Sequence, residues 1–387
     1  MECPAGFSLT GIKSKDSENL GFIYSPQGFT AAAVFTLNAN PAHPVELSRK
    51  NLSNKKHKLI FVNKGSANAA TGAAGFKNQA DLSVNAAEIF NVSEEEILFA
   101  STGVIGKNFN IPPEQISKLS ELKEYVKPYD FAEAIMTTDT VKKTAVSEFE
   151  INGRKITVTG IAKGAGMIKP NMATMLSFIM TDAAVEKEML RKALKDAADK
   201  TFNSLNIDAE TSTNDTVILA ASGKAGNKII KSECGNFRKF YNHLEKVCRI
   251  LTEKIAADGE GATKLIKINV KGAPDEAAAE IGAQAIASSP LCKTAFYGAS
   301  PNWGRIVSAL GAAGIKIDIS KFNIYINGVN WIKGGIPVKE NEKMVKEILS
   351  SSKFKLDIDL NRGDKEHLCY SCDFSTEYIR INAHYVS

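Results

Sequence analysis

Short apolar runs that end in turns rich in threonine, serine, glycine and asparagine recur along this chain. Such runs, bounded by turn residues, are typical of strands in a buried sheet. Other stretches place apolar residues three and four positions apart, which predicts amphipathic helices. Strands and helices are mixed throughout, so we predict an α/β (α+β) protein. The predicted helices cover residues 81–90, 187–202, 237–257 and 277–288.

The strand predictions rest on apolar runs in the first two thirds of the chain and on alternation near its end. Residues 322–326 and 378–382 alternate apolar and polar side chains, the pattern of a half-buried strand. The threonine-rich segment 137–140 is expected where a strand ends. The remaining predicted strands are residues 21–24, 31–36, 58–62, 97–100, 156–162 and 217–220.

The composition is typical of a globular enzyme, with 44% hydrophobic and 24% charged residues. The net charge of +5 comes from lysines scattered among acids, without a basic stripe, so nucleic-acid binding is not expected. No apolar run is long enough to span a membrane, and the N-terminus lacks a signal-peptide pattern. We therefore expect a cytoplasmic location. A chain of 387 residues predicts two domains or one large α/β unit.

Cysteine and histidine usage disfavours metal chemistry. The six cysteines are irregularly spaced, which suits reduced thiols. Cys369 and Cys372 form a lone CxxC pair, whereas a zinc site needs about four ligands. The five histidines form no HExxH cluster, and no GxSxG motif marks a serine nucleophile. We expect no metal and no cofactor.

The segment 163–180 carries the main chemical hypothesis. It is glycine-rich up to Pro170, places Ala173 directly before Thr174, and continues as an apolar run. Attack of the Thr174 hydroxyl on the Ala173 carbonyl would cleave the chain and make Thr174 a new N-terminus. A hydroxyl and a free amine on one residue form a known activated nucleophile. The same pattern is also typical of an ordinary loop that enters a core strand.

Two further turns carry groups that suit this chemistry. The strand predicted at 97–100 runs into Thr102-Gly103, where exposed backbone N–H groups can bind an oxyanion. Glu260 stands between two glycines, so its carboxylate is expected on a loop that the backbone approaches closely. Each also has an ordinary interpretation, as a strand-end turn and as a solvated acid at a helix end.

Taken together, these segments resemble the ornithine acetyltransferase family, also called glutamate N-acetyltransferases, of arginine biosynthesis. Residues 163–176 resemble the self-cleavage site of that family. Seven supporting segments follow the family's order: residues 63–72, 101–103, 136–140, 211–216, 258–264, 301–305 and 378–385.

The resemblance implies a fold and a division of the chain. The fold would be mixed sheet layers flanked by helices, of the ornithine acetyltransferase and DmpA-like aminopeptidase type. Cleavage between Ala173 and Thr174 would give an alpha chain, residues 1–173, and a beta chain, residues 174–387. The beta chain would include a C-terminal α/β subdomain from about residue 265, and the chains would assemble as an α2β2 heterotetramer.

The resemblance also implies roles for individual residues. Thr174 would be the nucleophile, and Thr102 and Gly103 would form the oxyanion hole. A threonine of the 137–140 turn should contact substrate, and Thr140 is the one we expect. The remaining substrate contacts would be Lys163, Thr174, Glu260, Asn382 and Ser387.

The implied reaction moves an acetyl group from N2-acetyl-L-ornithine to L-glutamate by a ping-pong mechanism through acetyl-Thr174. The α-amine of Thr174 would be the base, since such a group has a pKa of roughly 7.7–8.0. No sequence feature decides whether acetyl-CoA is also a donor, as it is for bifunctional members. Two alternatives stay open: an N-terminal-nucleophile amidohydrolase or aminopeptidase that passes the acyl group to water, and a non-catalytic binding protein.

Overall fold

The computed structural model describes residues 1–14, 18–169 and 175–384. Ala173, Thr174 and Ser387 therefore lie outside the described residues. The described strands are β1 (Ser8–Ile12), β2 (Asn19–Phe35), β3 (His57–Ser66), β4 (Ile97–Val104), β5 (Lys143–Ile151), β6 (Arg154–Lys163), β7 (Leu176–Thr181), β8 (Leu205–Asn206), β9 (Thr216–Ala221), β10 (Leu265–Ala273), β11 (Asn323–Ile326), β12 (Val329–Lys333), β13 (Ile336–Pro337), β14 (Lys353–Asp359) and β15 (Lys365–Cys372).

The described α-helices are α1 (His43–Asn51), α2 (Gly72–Phe90), α3 (Pro113–Ser120), α4 (Pro128–Ala134), α5 (Lys187–Lys200), α6 (Gly235–Ala257), α7 (Glu276–Ser288), α8 (Pro290–Tyr297), α9 (Trp303–Ala312), α10 (Glu342–Leu349) and α11 (Thr376–His384). Short 3-10 helices cover Glu94–Glu96, Phe202–Ser204 and Lys339–Asn341. In the described ranges, no helix is both long and apolar enough to cross a membrane.

The first sheet doubles back on itself through the long strand β2. The beginning of β2 pairs with β3, and its end pairs with β9, with a register irregularity between Tyr24 and Phe29. The sheet order is β4-β3-β2-β9-β7-β6-β5, and β1 pairs with β2. Side chains from both halves meet in one core, for example Ile60 and Leu98 with Phe178 and Ile218. The two halves are therefore two packed layers joined by β2.

Helices cover the outer faces of these two layers. Helices α2 and α3 pack on the β1–β4 layer through Leu82, Phe90 and Ile116. Helices α5 and α6 pack on the other layer through Leu190 and Leu244. The result is a four-layered helix–sheet–sheet–helix arrangement, which buries both faces of each strand in the middle.

Strand β7 lies at the centre of one layer, and every one of its residues is buried. It runs antiparallel to β6 and parallel to β9, with Leu176 opposite both Lys163 and Thr216. Because both faces are covered, the strand is mostly apolar instead of alternating, and its Ser177 and Thr181 are buried as well. Strands from before and after residues 173 and 174 therefore share one sheet.

The second sheet has the order β13-β12-β11-β14-β10-β15-β8 and mixes parallel and antiparallel pairs. Apart from β8, all of its strands lie from Leu265 onward. Helices α7, α9 and α10 cover one face through Ile286, Leu310 and Leu349. Leu265 and Tyr370 instead pack into the core beneath α6, so the two sheets are joined by shared apolar contacts.

The predicted α/β class is confirmed, and the helix and strand predictions hold for most of the chain. Two were wrong. Residues 378–382 lie in α11, whose Ile379 is 69% exposed, so the alternation there does not mark a half-buried strand. Local contacts favour the helix, because Ser375 Oγ accepts from Glu377 N and Glu377 pairs with Arg380. Residues 137–140 follow α4 and precede β5, so they do not end a strand.

Close packing of α6 against β6 gives a test of the layered arrangement. A Cβ at Gly160 would lie 2.7 Å from both Leu251 Cδ1 and Val247 Cγ1. We expect Gly160→Ala to destabilise the protein by about 1–3 kcal/mol, because overpacking forces the helix or its side chains to move. Gly235→Ala is the matched control, since no atom lies within 4 Å of that site. Equal melting temperatures for the two variants, measured by circular dichroism, would contradict this packing.

Candidate active site

Five residues proposed from the sequence line one cavity of about 100 Å³: Thr102, Gly103, Lys163, Glu260 and Asn382. They come from segments far apart in the chain and from both sheet layers. The remaining described residues around it are Ile105, Thr137, Thr138, Gly166, Met167, Met175, Leu176, Ser212 and Asp215. Met175 directly follows Thr174 in the sequence.

Lys163 connects the two layers at this end of the sandwich. It is the last residue of β6, and its Nζ donates to Thr102 Oγ1 on β4 at 3.1 Å. Burial lowers the pKa of Lys163, while the nearby charges of Asp139, Glu260 and Asp215 act in the opposite direction. The cavity thus holds a buried lysine amine directly beside the proposed oxyanion residues.

Thr102 and Gly103 lie within β4 and not in a turn after it, and Gly103 packs closely against the end of β3. Gly103 lies opposite Gly65 in the parallel pair of β3 and β4. Gly103 has a φ of 133°, and a Cβ there would lie 2.4 Å from the carbonyl carbon of Gly65. Only glycine fits these conditions. Gly103 therefore contributes backbone without a side chain to the cavity lining, which suits the proposed oxyanion site.

Glu260 is buried and oriented by three neighbours. Its backbone N donates to Ala165 O at 2.8 Å, and its Oε2 accepts from Asn382 Nδ2 at 2.9 Å. Gly166 leaves room for the carboxylate, because a Cβ there would lie 2.4 Å from Glu260 Cδ. Asn382 also donates to Tyr378 O, so α11 holds the amide against the carboxylate. The cavity therefore holds both a carboxylate and the Lys163 amine.

The structure separates the threonines of the 137–140 turn. Thr137 and Thr138 line the cavity. Thr140 does not line it; its hydroxyl and its backbone N both donate to the carboxylate of Asp258. The turn is shaped by Asp139, whose Oδ2 accepts from Thr137 N at 3.1 Å. Sequence alone could not separate three threonines of identical chemistry.

Sequence reasoning did not assign Ser212, Asp215 or Met175 to the cavity. Ser212 and Asp215 belong to the segment 211–216, which supported the family resemblance but was given no role at the site. Asp208 was also unassigned, yet it accepts hydrogen bonds from Met167 N and Ile168 N at 2.6 and 2.7 Å. Burial raises the pKa of Asp208, and the charge of Glu260 adds to the increase.

Across residues 1–14, 18–169 and 175–384, no three histidine, cysteine or acidic side chains are grouped as metal ligands would be. Cys369 and Cys372 are both buried free thiols. Their side chains enter different cores, Cys369 that of the second sheet and Cys372 that beneath α6. They do not face one shared ligand position.

Comparison with known proteins gives a consistent result along the whole chain. A profile of the ArgJ family matches residues 5–387. A glutamate N-acetyltransferase of Methanocaldococcus jannaschii is 44% identical, covering 100% of this chain and 98% of that relative. The arginine biosynthesis bifunctional protein ArgJ of Caldanaerobacter subterraneus subsp. tengcongensis is 41% identical, with the same coverage.

A solved structure shows the same relationship. The crystal structure of arginine biosynthesis bifunctional protein ArgJ from Bacillus halodurans aligns with a TM-score of 0.53 at 38% identity. The alignment covers 55% of this chain and 100% of that chain.

The bare backbone at Gly103 can be tested directly. We expect Gly103→Ala to lower the free energy of unfolding by more than about 1 kcal/mol, because the side chain is disfavoured at this φ and meets Gly65. Gly106→Ala is the matched control: Gly106 also has a positive φ, of 77°, but no atom lies within 4 Å. Thermal melts that show equal losses for both variants would argue against the close strand contact.

Proposed function

The chain belongs to the ArgJ family, and we propose that it is a glutamate N-acetyltransferase of arginine biosynthesis that uses Thr174 as its nucleophile. One observation carries the proposal. A single cavity gathers Thr102, Gly103, Lys163 and Glu260, and Met175 lines it one residue after Thr174. The name of the Methanocaldococcus jannaschii relative supports the choice of acetyl transfer.

The first step is self-cleavage. Thr174 Oγ attacks the Ala173 carbonyl, the peptide bond to the Thr174 nitrogen breaks, and the acyl group moves to oxygen as an ester. Water hydrolyses that ester and leaves a carboxylate on Ala173 and a free amine and hydroxyl on Thr174. The pairing of β6 with β7 and of β2 with β9 supports continued association of the two products, because each pair joins one strand from either side.

In turnover, Thr174 Oγ attacks the acetyl carbonyl of N2-acetyl-L-ornithine, and the α-amine of Thr174 accepts the proton. Thr102 and Gly103 stabilise the tetrahedral oxyanion, a type of contact whose loss costs about 10²–10³ in rate. Ornithine leaves with the proton, and acetyl-Thr174 remains. The amine of L-glutamate then attacks this ester, which releases N-acetyl-L-glutamate and restores the Thr174 hydroxyl.

Both substrates carry an α-carboxylate, and ornithine also carries a side-chain ammonium. We assign the α-carboxylate to Lys163 and the ammonium to Glu260, which Asn382 orients at 2.9 Å. The cavity lining favours Thr137 or Thr138 over Thr140 as the substrate-contacting threonine. Ser387 remains a proposed contact outside the described residues.

The α2β2 assembly and the cytoplasmic location remain proposals of the same kind. The reaction as written needs no cofactor. The bifunctional names of the relatives support a test of acetyl-CoA as a second acetyl donor, with L-glutamate as acceptor.

Self-cleavage gives the decisive experiment. We expect the purified protein to run on a denaturing gel as two fragments, the smaller alpha chain and a beta chain whose N-terminal sequence begins at Thr174. Thr174→Ala should remain one chain without acetyl transfer, because it lacks the attacking oxygen. Thr174→Ser is the matched control and should still cleave. A single wild-type chain, or a fragment that begins elsewhere, would refute the mechanism.

Labelled acetylornithine then separates transfer from hydrolysis. We expect label in N-acetylglutamate only when L-glutamate is present, and a burst of ornithine that matches the enzyme concentration when it is absent. Steady release of free acetate without glutamate would instead identify an N-terminal-nucleophile amidohydrolase.

A further inference from the structure

Three buried charged residues beside the cavity have no role in the reaction described above. The side chains of Asp139, Lys143 and Asp258 are 0%, 0% and 7% exposed. Lys143 Nζ donates to Asp139 Oδ1 at 2.6 Å and also to Asp258 Oδ2. Such buried ion pairs contribute little net stability, because desolvation offsets their attraction. We therefore expect these ion pairs to matter mainly because they hold neighbouring backbone segments in fixed positions.

The two carboxylates hold the backbone of neighbouring segments. Asp139 Oδ1 also accepts from Gly164 N at 2.7 Å, directly after Lys163. Asp258 accepts from the backbone and hydroxyl of Thr140. The cluster therefore joins the turn after α4, the end of β6 and the loop after α6. These are the segments that carry the cavity threonines, Lys163 and Glu260.

The hydrogen bond from Gly164 N to Asp139 fixes the backbone position from which the Lys163 side chain extends. Gly164 has a φ of 151°, and a Cβ there would lie 3.1 Å from Ile168 and 3.3 Å from Met175. The Asp139 carboxylate satisfies the N–H of this crowded turn. A displacement of Asp139 would thus move the backbone from which Lys163 reaches Thr102.

The charge of the same carboxylate also acts on the Lys163 ammonium. Four charged groups surround that ammonium: Asp139 from the turn after α4, Lys143 from β5, Glu260 from the loop after α6, and Asp215 from the turn before β9. Burial opposes ionisation of Asp139, but Lys163, Lys143 and the Gly164 N–H outweigh it and lower the pKa of Asp139. Asp139 is therefore an anion placed between two buried lysines.

We propose that Asp139 is a positioning residue that keeps the Lys163 ammonium charged and in place beside Thr102, with Lys143 locking Asp139 to Asp258. The effect on Lys163 rests on the contacts of Asp139 with Gly164 N and Lys143 and on the charges around the Lys163 amine. Its effect on acetyl transfer rests on the proposed function. Lys143 acts on Lys163 in two opposite ways: it anchors Asp139, and its own charge repels the Lys163 ammonium.

A titration of Lys163 tests the proposal without reference to activity. Lysines labelled with ¹³C at Cε are followed by NMR against pH, and Lys163→Arg identifies the signal. In Asp139→Asn the carboxamide still accepts from Gly164 N, but the charge is gone, so the Lys163 midpoint should move to lower pH. In Lys143→Met the repelling positive charge is lost, while Asp139 is still held by Thr137 N and Gly164 N, so the midpoint should move to higher pH.

The surface offers a matched control with the same residue types and spacing, in reversed order, and with a similar distance. Lys195 and Asp199 form an i,i+4 pair at 2.7 Å, and both are well exposed. Asp199→Asn should leave the Lys163 midpoint unchanged. An unchanged midpoint in Asp139→Asn, or shifts in the same direction for Asp139→Asn and Lys143→Met, would overturn the proposal. If one of the two variants fails to fold, the direction of shift in the other decides.

Kinetics then connect Lys163 to substrate binding. In Asp139→Asn the basic limb of kcat/KM for acetylornithine should move to lower pH, and KM should rise more than kcat falls. The double variant with Lys163→Arg should show no such shift, because arginine stays protonated. A wild-type enzyme without acetyl transfer would refute the proposed function, while the NMR titration would still decide the role of Asp139.

Discussion

The placement of β7 between β6 and β9 is the constraint on which the rest of the structure depends. Each of its residues is buried, and alternate side chains enter the two cores on either side of the layer. Full burial of a leucine, isoleucine or phenylalanine side chain contributes about 1.5–3 kcal/mol each. A shift of β7 by one residue would turn each side chain to the opposite face and disrupt the packing of both cores. The register of Leu176 opposite Lys163 and Thr216 therefore follows from core packing and fixes where the chain enters the cavity.

Burial also determines the electrostatics at that end of the sheet. A desolvated lysine beside Thr102 would lose its proton readily unless anions faced it, and here three do: Asp139, Glu260 and Asp215. Asp139 is in turn held by Gly164 N and by Lys143, and the Glu260 carboxylate is held by the Asn382 amide. The charge of the cavity therefore depends on residues that are held in place at the ends of the sheet strands.

Much of the fold could be predicted from the sequence because its elements pack against cores. Helix α6 keeps one apolar face against β6, and the 3.6-residue spacing shows it plainly. Helix α11 has no buried residue, so no apolar stripe marks it, and local alternation at Ile379 and Ile381 suggested a strand. Its stability depends on a serine at its start and a Glu377–Arg380 pair, features that a periodicity argument does not detect.

The cavity was predictable to a similar extent. Turns rich in threonine and glycine pointed to Thr102, Gly103 and Glu260, and the family resemblance added Lys163. The fold brings these four residues together. Lys143 was not identified, because nothing local distinguishes a lysine that will be fully buried from one in water. The choice between Thr137 and Thr140 depends on which one Asp258 binds, a contact between residues more than a hundred positions apart.

The glycines before the proposed cleavage site are held in fixed positions, although their sequence suggests a flexible loop. A run such as residues 163–166 reads as a flexible loop, yet Gly164 N is bound by Asp139 and Ala165 O by Glu260 N. Gly166 is small because the Glu260 carboxylate packs on it, and Asp208 holds the next two N–H groups. Glycine is needed in this segment because other groups pack closely against its backbone, and not because the backbone must be flexible. A reaction between neighbouring groups of one chain gains from such fixed geometry, because the entropy of alignment is already lost on folding.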